Sequence, residues 1–79
     1  MRPFLVVEGA STLIVFWNRY EVWFGTDIEK FKNARDILID NNIKYRFRVT
    51  ARRARGHVIR THYLYVHKKD AKEAMFLLR

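Results

Sequence analysis

The side chains best suited to chemistry in this sequence lie between Lys44 and Lys69, a stretch that contains no acidic residue. Its arginines alternate with aromatic and β-branched residues in KYRFRV, and tyrosines recur at every second position in the later run YLYV. Guanidinium groups bind phosphate through forked hydrogen bonds, and aromatic rings stack on nucleic-acid bases. The pattern is therefore typical of a surface for single-stranded nucleic acid, with these candidate binding residues: Trp23, Arg46, Arg48, Arg52, Arg53, Arg55, Tyr63 and Tyr65.

Residues for catalysis or metal binding are scarce. Ser11 is the only serine and there is no cysteine, so no nucleophilic triad is apparent. The carboxylates lie mostly at expected helix starts, where capping explains them. His57, His62 and His67 alternate between the two sides of a strand and cannot converge on one ion. The glycines are isolated from one another, which argues against a phosphate-binding loop. We therefore expect no enzyme, no metal site, no cofactor and no small-molecule substrate.

Length and charge indicate one small basic domain, residues 1–79. Sixteen Lys and Arg against eight Asp and Glu give a net charge of +8, which attracts nucleic acids and anionic membranes alike. Without cysteine the chain can form neither a disulfide nor a thiolate metal site, so we expect a cytoplasmic protein.

The first 17 residues are unusually apolar and form the one candidate membrane segment. The run from Pro3 to Trp17 is shorter than the roughly 20 residues of a spanning helix, and it contains Glu8. A strand in segment 1–17 is therefore favoured over insertion, and association of this segment with a membrane surface is the weaker alternative.

Hydrophobic periodicity predicts four strands and two helices. The alternation is strict in KYRFRVTAR, where Tyr45, Phe47 and Val49 point one way and the arginines point the other. Capping boxes are predicted to start both helices. The first predicted elements are strands 12–17 and 20–25, paired as a hairpin. A helix over 26–42 follows, capped by Thr26 with Glu29 and ended by Asn41 and Asn42. Strands 44–52 and 57–67 are joined by an arginine-rich loop with its turn at Gly56, and the last element is a helix over 69–79, capped by Asp70 with Glu73.

This β-β-α-β-β-α order predicts an α+β fold, with a ferredoxin-like antiparallel sheet of three or four strands and both helices on one face, its core within 20–78. The right-handed crossover rule puts strands 20–25 and 57–67 side by side, with strand 44–52 beyond the latter. We expect the N-terminal strand to occupy the remaining edge, beside strand 20–25. Trp23 is predicted to join the arginines on the uncovered side, because Val22 and Phe24 would point inward.

Several short motifs resemble a known family. The segment FWNRYEVWFGTDIEKFKNARDILIDNNIKYRFRV, followed by YLYVHKKDAKEAMFLL, is similar to small uncharacterised bacterial proteins, frequent in Firmicutes, that are described as signal-transducing and PII-like. The resemblance covers about Phe16 to Leu78. It implies a PII-like, ferredoxin-like fold and a regulatory role, and it supplies no catalytic residue. PII-type proteins bind nucleotides through long loops that this sequence lacks, so nucleotide binding is not expected.

Three interpretations of the basic sheet face remain open at this point. It is a solvated surface, a contact surface for a protein partner or a second copy, or a nucleic-acid surface. The resemblance favours a non-enzymatic regulatory or protein-interaction module. The acid-free stretch with interleaved aromatics favours single-stranded nucleic-acid binding as the alternative.

Overall fold

The computed structural model describes residues 5–11 and 13–79, with side chains from residue 9 onward. A four-stranded antiparallel sheet and two helices confirm the predicted α+β class and the β-β-α-β-β-α order. The elements are β1 (Leu5–Ala10), β2 (Arg19–Gly25), α1 (Ile28–Asp40), β3 (Tyr45–Ala54), β4 (His57–His67) and α2 (Ala71–Leu78), with one 3-10 turn (Lys68–Asp70) before α2.

The strands lie in the order β1-β3-β4-β2. As the crossover rule predicted, β4 pairs with β2 on one side and with β3 on the other. The predicted place of the N-terminal strand is wrong, because β1 pairs with β3 at the far edge and not with β2. Among the described strands, β2 is therefore left as an edge strand.

The predicted strand 12–17 is also wrong over residues 13–17, which form a turn; Thr12 lies outside the described residues. The side chain of Asn18 stabilises this turn, since its Oδ1 accepts from the Val15 N–H at 2.7 Å and its Nδ2 donates to the Leu13 carbonyl at 3.2 Å. Ile14 is 1% exposed. Residues 13–17 thus lie in a loop that buries the Ile14 side chain, and they form no hairpin with β2.

Both helix starts differ from the predicted capping boxes. Asp27, not Thr26, caps α1, because its Oδ1 accepts from the backbone N–H groups of Glu29 at 2.9 Å and Lys30 at 3.3 Å. Asp70 makes no side-chain capping bond to α2. The predicted end of α1 is confirmed, since Asn41 is its C-cap and Asn42 adopts the left-handed conformation with φ 57°.

Strands β3 and β4 form a hairpin with a two-residue turn. Arg55 and Gly56 both have positive φ, at 51° and 80°, as a type I′ turn requires. The turn at Gly56 is therefore confirmed. Arg53, predicted in the loop, belongs to β3 together with Arg52, the last residue of the predicted strand, because so short a turn lets β3 continue to Ala54.

The core lies between the helices and one face of the sheet. The largest fully buried side chains of the sheet are Leu64 and Val66 of β4, which point toward the helices. The core cluster consists of Phe31, Ala34, Leu38, Ile43, Leu64, Val66 and Ala74. Within residues 5–11 and 13–79, neither helix is long and apolar enough to cross a bilayer. The side of the sheet away from the helices, here called the open face, is where the candidate residues were predicted.

Candidate functional site

The open face brings arginines of β3 beside tyrosines of β4. The strand register sets Arg46 opposite Tyr65 and Arg48 opposite Tyr63. Neighbouring Leu64 and Val66 are buried in the core, and successive strand residues point to opposite faces. These four side chains therefore emerge together on the side without helices, the arrangement that the alternating sequence pattern predicted.

Trp23 does not lie on this face, and its predicted place is wrong. The ring of Trp23 packs against the core, 6.0 Å from the Phe31 ring centroid. The register between β2 and β4 shifts between Glu21 and Trp23, which is a β-bulge at Val22. A bulge inserts one residue and reverses the alternation beyond it. Phe24 consequently replaces Trp23 on the open face, opposite Tyr63.

The three arginines near the turn separate in space. Arg52 is exposed on the open face, opposite Ile59, in line with Arg46 and Arg48. Arg53 is equally exposed but points to the helix side of β3. Arg55 lies in the turn itself. Only Arg52 of these three extends the arginine row of the open face.

Three aromatic rings form a row across the open face. The Phe24 and Tyr63 centroids are 6.4 Å apart with ring planes at 20°, and those of Tyr63 and Tyr65 are 6.4 Å apart at 12°. Phe24 is 65% exposed, Tyr63 is half-buried and Tyr65 is only 7% exposed. Phe24 and Tyr63 can therefore offer a ring to a base, whereas Tyr65 supports its neighbours.

Tyr65 is covered by arginines. The Arg19 guanidinium lies over the Tyr65 ring at 4.4 Å from its centroid, and the Arg48 side chain lies near the Tyr65 hydroxyl. Burial raises the pKa of Tyr65 above its ordinary value, and nearby Glu21 adds to this rise, while Arg19 and Arg48 oppose it. The phenol therefore stays protonated at neutral pH.

A concavity of about 380 Å³ opens at the end of the face next to the β1–β2 loop. Its lining contains Val15 and Phe16 of the loop, with the guanidinium-bearing residues Arg19, Arg46 and Arg48. Arginines cluster here because the loop folds against the start of β3, where the Arg46 Nη1 donates to the Ile14 carbonyl at 3.4 Å.

Sequence reasoning missed Phe16, Arg19 and Phe24. Arg19 and Glu21 precede the bulge, and Phe24 follows it. Strict alternation counted through Val22 places Phe24 on the opposite face from Arg19 and Glu21, whereas the bulge brings all three to the same face. Phe16 was assigned to a strand that the structure does not contain. The one available signal for Arg19 was its basic side chain next to Tyr20, immediately before the predicted strand 20–25.

The electrostatic balance of the open face is positive. Among the side chains that the structure describes there, Glu21 is the acid and Arg19, Arg46, Arg48 and Arg52 are the bases. Glu8 pairs with Arg48 in the register of β1 and β3. In the described part of the chain, no group of three His, Asp or Glu side chains could hold a metal ion.

Comparisons of the chain with protein-family models, with curated proteins and with solved structures find no match. The resemblance to PII-like signal-transducing proteins stays a prediction. Any function must therefore be argued from the open face itself.

Proposed function

We propose that this domain is a non-catalytic binding module whose open face holds single-stranded nucleic acid. One observation carries the proposal: the exposed ring of Phe24 and the half-buried ring of Tyr63 lie beside the arginine row on a sheet face that no described helix covers. The arginine row consists of Arg46, Arg48 and Arg52.

A single strand suits this surface better than a duplex does. Its unstacked bases can lie on aromatic rings while arginines follow the phosphates, whereas base pairing and stacking hide the faces of bases in a duplex. The net charge of +8 draws any polyanion to the domain. A chain without cysteine is compatible with a reducing cytoplasm, where single-stranded RNA is present.

Salt dependence measures the phosphate contacts directly. Affinity for an oligonucleotide of about 12 nucleotides, within the usual site sizes, should fall as salt rises because bound counterions are released. Three or four arginine contacts predict a slope of log affinity against log salt of about −2 to −3, at about −0.7 per contact for single strands. A slope near zero would contradict phosphate tracking.

Arg52 and Arg53 provide a matched pair for this test. They are adjacent in β3, both are exposed, and each substitution by alanine removes one positive charge, but only Arg52 lies on the open face. We expect Arg52→Ala to weaken binding and to make the slope shallower by about 0.7, and Arg53→Ala to leave the slope unchanged. Equal effects of the two substitutions would show that net charge, not the open face, drives binding.

The second candidate is the regulatory or protein-interaction module that the resemblance implies. Phe16 and Trp17 favour it, since adjacent loop rings that are 77% and 74% exposed form an apolar contact point. Sedimentation of the purified chain measures its oligomeric state and so tests whether the partner is a second copy of the chain. A dimer that Trp17→Ser dissociates would support this candidate, and a monomer with full oligonucleotide affinity would support the first.

A further inference from the structure

The concavity beside the β1–β2 loop has a lining suited to one kind of ligand group. It combines the guanidinium groups of Arg19, Arg46 and Arg48 with an apolar wall from Val15 and Phe16. All three arginines are half-buried, so each charge is partly withdrawn from solvent. A partly desolvated guanidinium attracts an anion more strongly than a fully solvated one does, because the effective dielectric constant is lower there.

Each guanidinium is held in place by protein contacts. Arg19 lies between two rings, 5.0 Å from the Phe16 centroid and 4.4 Å from that of Tyr65. Arg46 donates one N–H to the Ile14 carbonyl at 3.4 Å, and a guanidinium carries five such donors. Arg48 lies opposite Tyr63 in the strand register and near the Tyr65 hydroxyl. Groups fixed in this way lose little side-chain entropy when they bind an anion.

The loop closes this end of the open face. Its Ile14 carbonyl accepts from Arg46, and its Phe16 ring packs on Arg19. A nucleic-acid strand that follows the arginine row from Arg52 through Arg48 reaches the wall formed by Val15 and Phe16. The end of a nucleic-acid strand fits at such a wall better than a strand that continues past it.

Charge also distinguishes the end of a strand from its interior. An internal phosphodiester carries a single negative charge, whereas a phosphomonoester carries about −1.5 to −2 at pH 7. The more highly charged group gains more from three arginines that line one concavity, because charge-assisted hydrogen bonds are the stronger ones.

We propose that this concavity binds the terminal phosphomonoester of a single-stranded nucleic acid, at its 5′ or its 3′ end. The inference rests on the proposed function and deepens it, because it assigns a role to Phe16 and Arg19 and gives the open face a defined end. The residues that carry it are Arg19, Arg46 and Arg48, with Phe16 as the positioning ring.

Competition between unlabelled oligonucleotides tests the inference. Four competitors displace an internally labelled strand: a 5′-phosphorylated form, a 3′-phosphorylated form and a form with hydroxyl groups at both ends, all of one sequence, and a hydroxyl-ended form extended by two nucleotides. The longer form controls for total charge. We expect one phosphorylated form to compete about tenfold better than both hydroxyl-ended forms, as a hydrogen bond to a charged group would give.

Variants assign the preference to the concavity. Arg46→Gln should abolish the preference for the phosphorylated end, and Arg46→Lys, which keeps the charge, should retain part of it. Arg52→Ala should weaken all competitors alike and keep the preference. Far-UV circular dichroism and urea unfolding of each variant show that the fold is retained.

The outcomes separate this inference from the proposed function. Equal competition by all four oligonucleotides would overturn the terminal-phosphate site and leave single-strand binding intact. A preference that survives Arg46→Gln with the fold retained would also overturn it, because the end would then be recognised elsewhere. If no oligonucleotide binds, both proposals fail.

Discussion

Substitution of Phe24 by alanine removes the most exposed aromatic ring of the open face. Phe24 is 65% exposed and its ring lies 6.4 Å from that of Tyr63. If bases stack there, loss of the ring should cost about 1–3 kcal/mol of binding free energy per base. This corresponds to a decrease in affinity of about 5- to 150-fold, at about 1.4 kcal/mol per factor of ten.

Phe76 is the matched control. It is 64% exposed, but it lies on α2 in the helix layer, where the Arg79 guanidinium packs over its ring at 4.7 Å. Each phenylalanine buries about a third of its surface, roughly 70 Å² of about 200 Å². At about 25 cal/mol per Å², both substitutions should lower the free energy of unfolding by at most about 2 kcal/mol.

Fluorescence anisotropy with a labelled oligonucleotide at one fixed salt concentration compares the two variants. Phe24→Ala should bind more weakly than the wild type by at least fivefold, the lower bound of a stacking contribution, and Phe76→Ala should bind as the wild type does. Urea unfolding checks that both variants are folded at the assay temperature. Equal affinities for the two variants would refute base stacking on the open face.

Three further predictions concern the framework of the face. Asp27→Ala should lower the free energy of unfolding by about 0.5–2 kcal/mol because it removes the cap of α1, and Thr26→Ala should change it little; urea unfolding compares them. Gly9→Ala should cost about 1–3 kcal/mol by overpacking, since an added Cβ would lie 2.8 Å from the Phe47 ring, and an unchanged urea midpoint would contradict the packing of β1 on β3. The raised pKa of Tyr65 should stabilise the fold below the ordinary tyrosine pKa of about 10, and this contribution should be lost as pH rises through the higher folded pKa. Urea unfolding at about pH 8 and about pH 11, on either side of the ordinary tyrosine pKa, should therefore show a smaller alkaline loss of stability for Tyr65→Phe than for the wild type.

The sequence was sufficient to predict the two middle strands of the sheet. Alternation in KYRFRV separates Tyr45 and Phe47 from Arg46 and Arg48, and the helices need an apolar sheet face to cover. A shift of one residue would expose the apolar set and bury the arginines, so the faces of β3 and β4 are strongly specified. This is why the arginine and tyrosine pairs of the open face could be placed in advance.

The bulge at Val22 could not be placed in the same way. Trp23 and Phe24 are adjacent aromatic residues, and either can fill the core or lie outside, so composition does not fix the alternation of β2. The choice depends on how the Trp23 ring fits against Phe31 of α1. That contact is tertiary and leaves no local signal in the sequence.

The N-terminal segment was mispredicted for a related reason. TLIVFW has the composition of a strand, but the hydrogen bonds of Asn18 and the burial of Ile14 favour a turn over residues 13–17. The edge of β3 is taken up by β1 through Leu5–Ala10, and residues 13–17 then form part of the connection from β1 to β2. Propensity alone does not distinguish which of two neighbouring apolar runs will pair.

Chemical-shift mapping by NMR gives the most direct test of the open face as a nucleic-acid surface. Titration of the isotope-labelled chain with a short single-stranded oligonucleotide should shift the resonances of Phe24, Arg46, Arg52 and Tyr63 and leave those of Phe76 and Arg53 in place. Shifts concentrated on α1 and α2, with none on β3 and β4, would contradict binding at the open face.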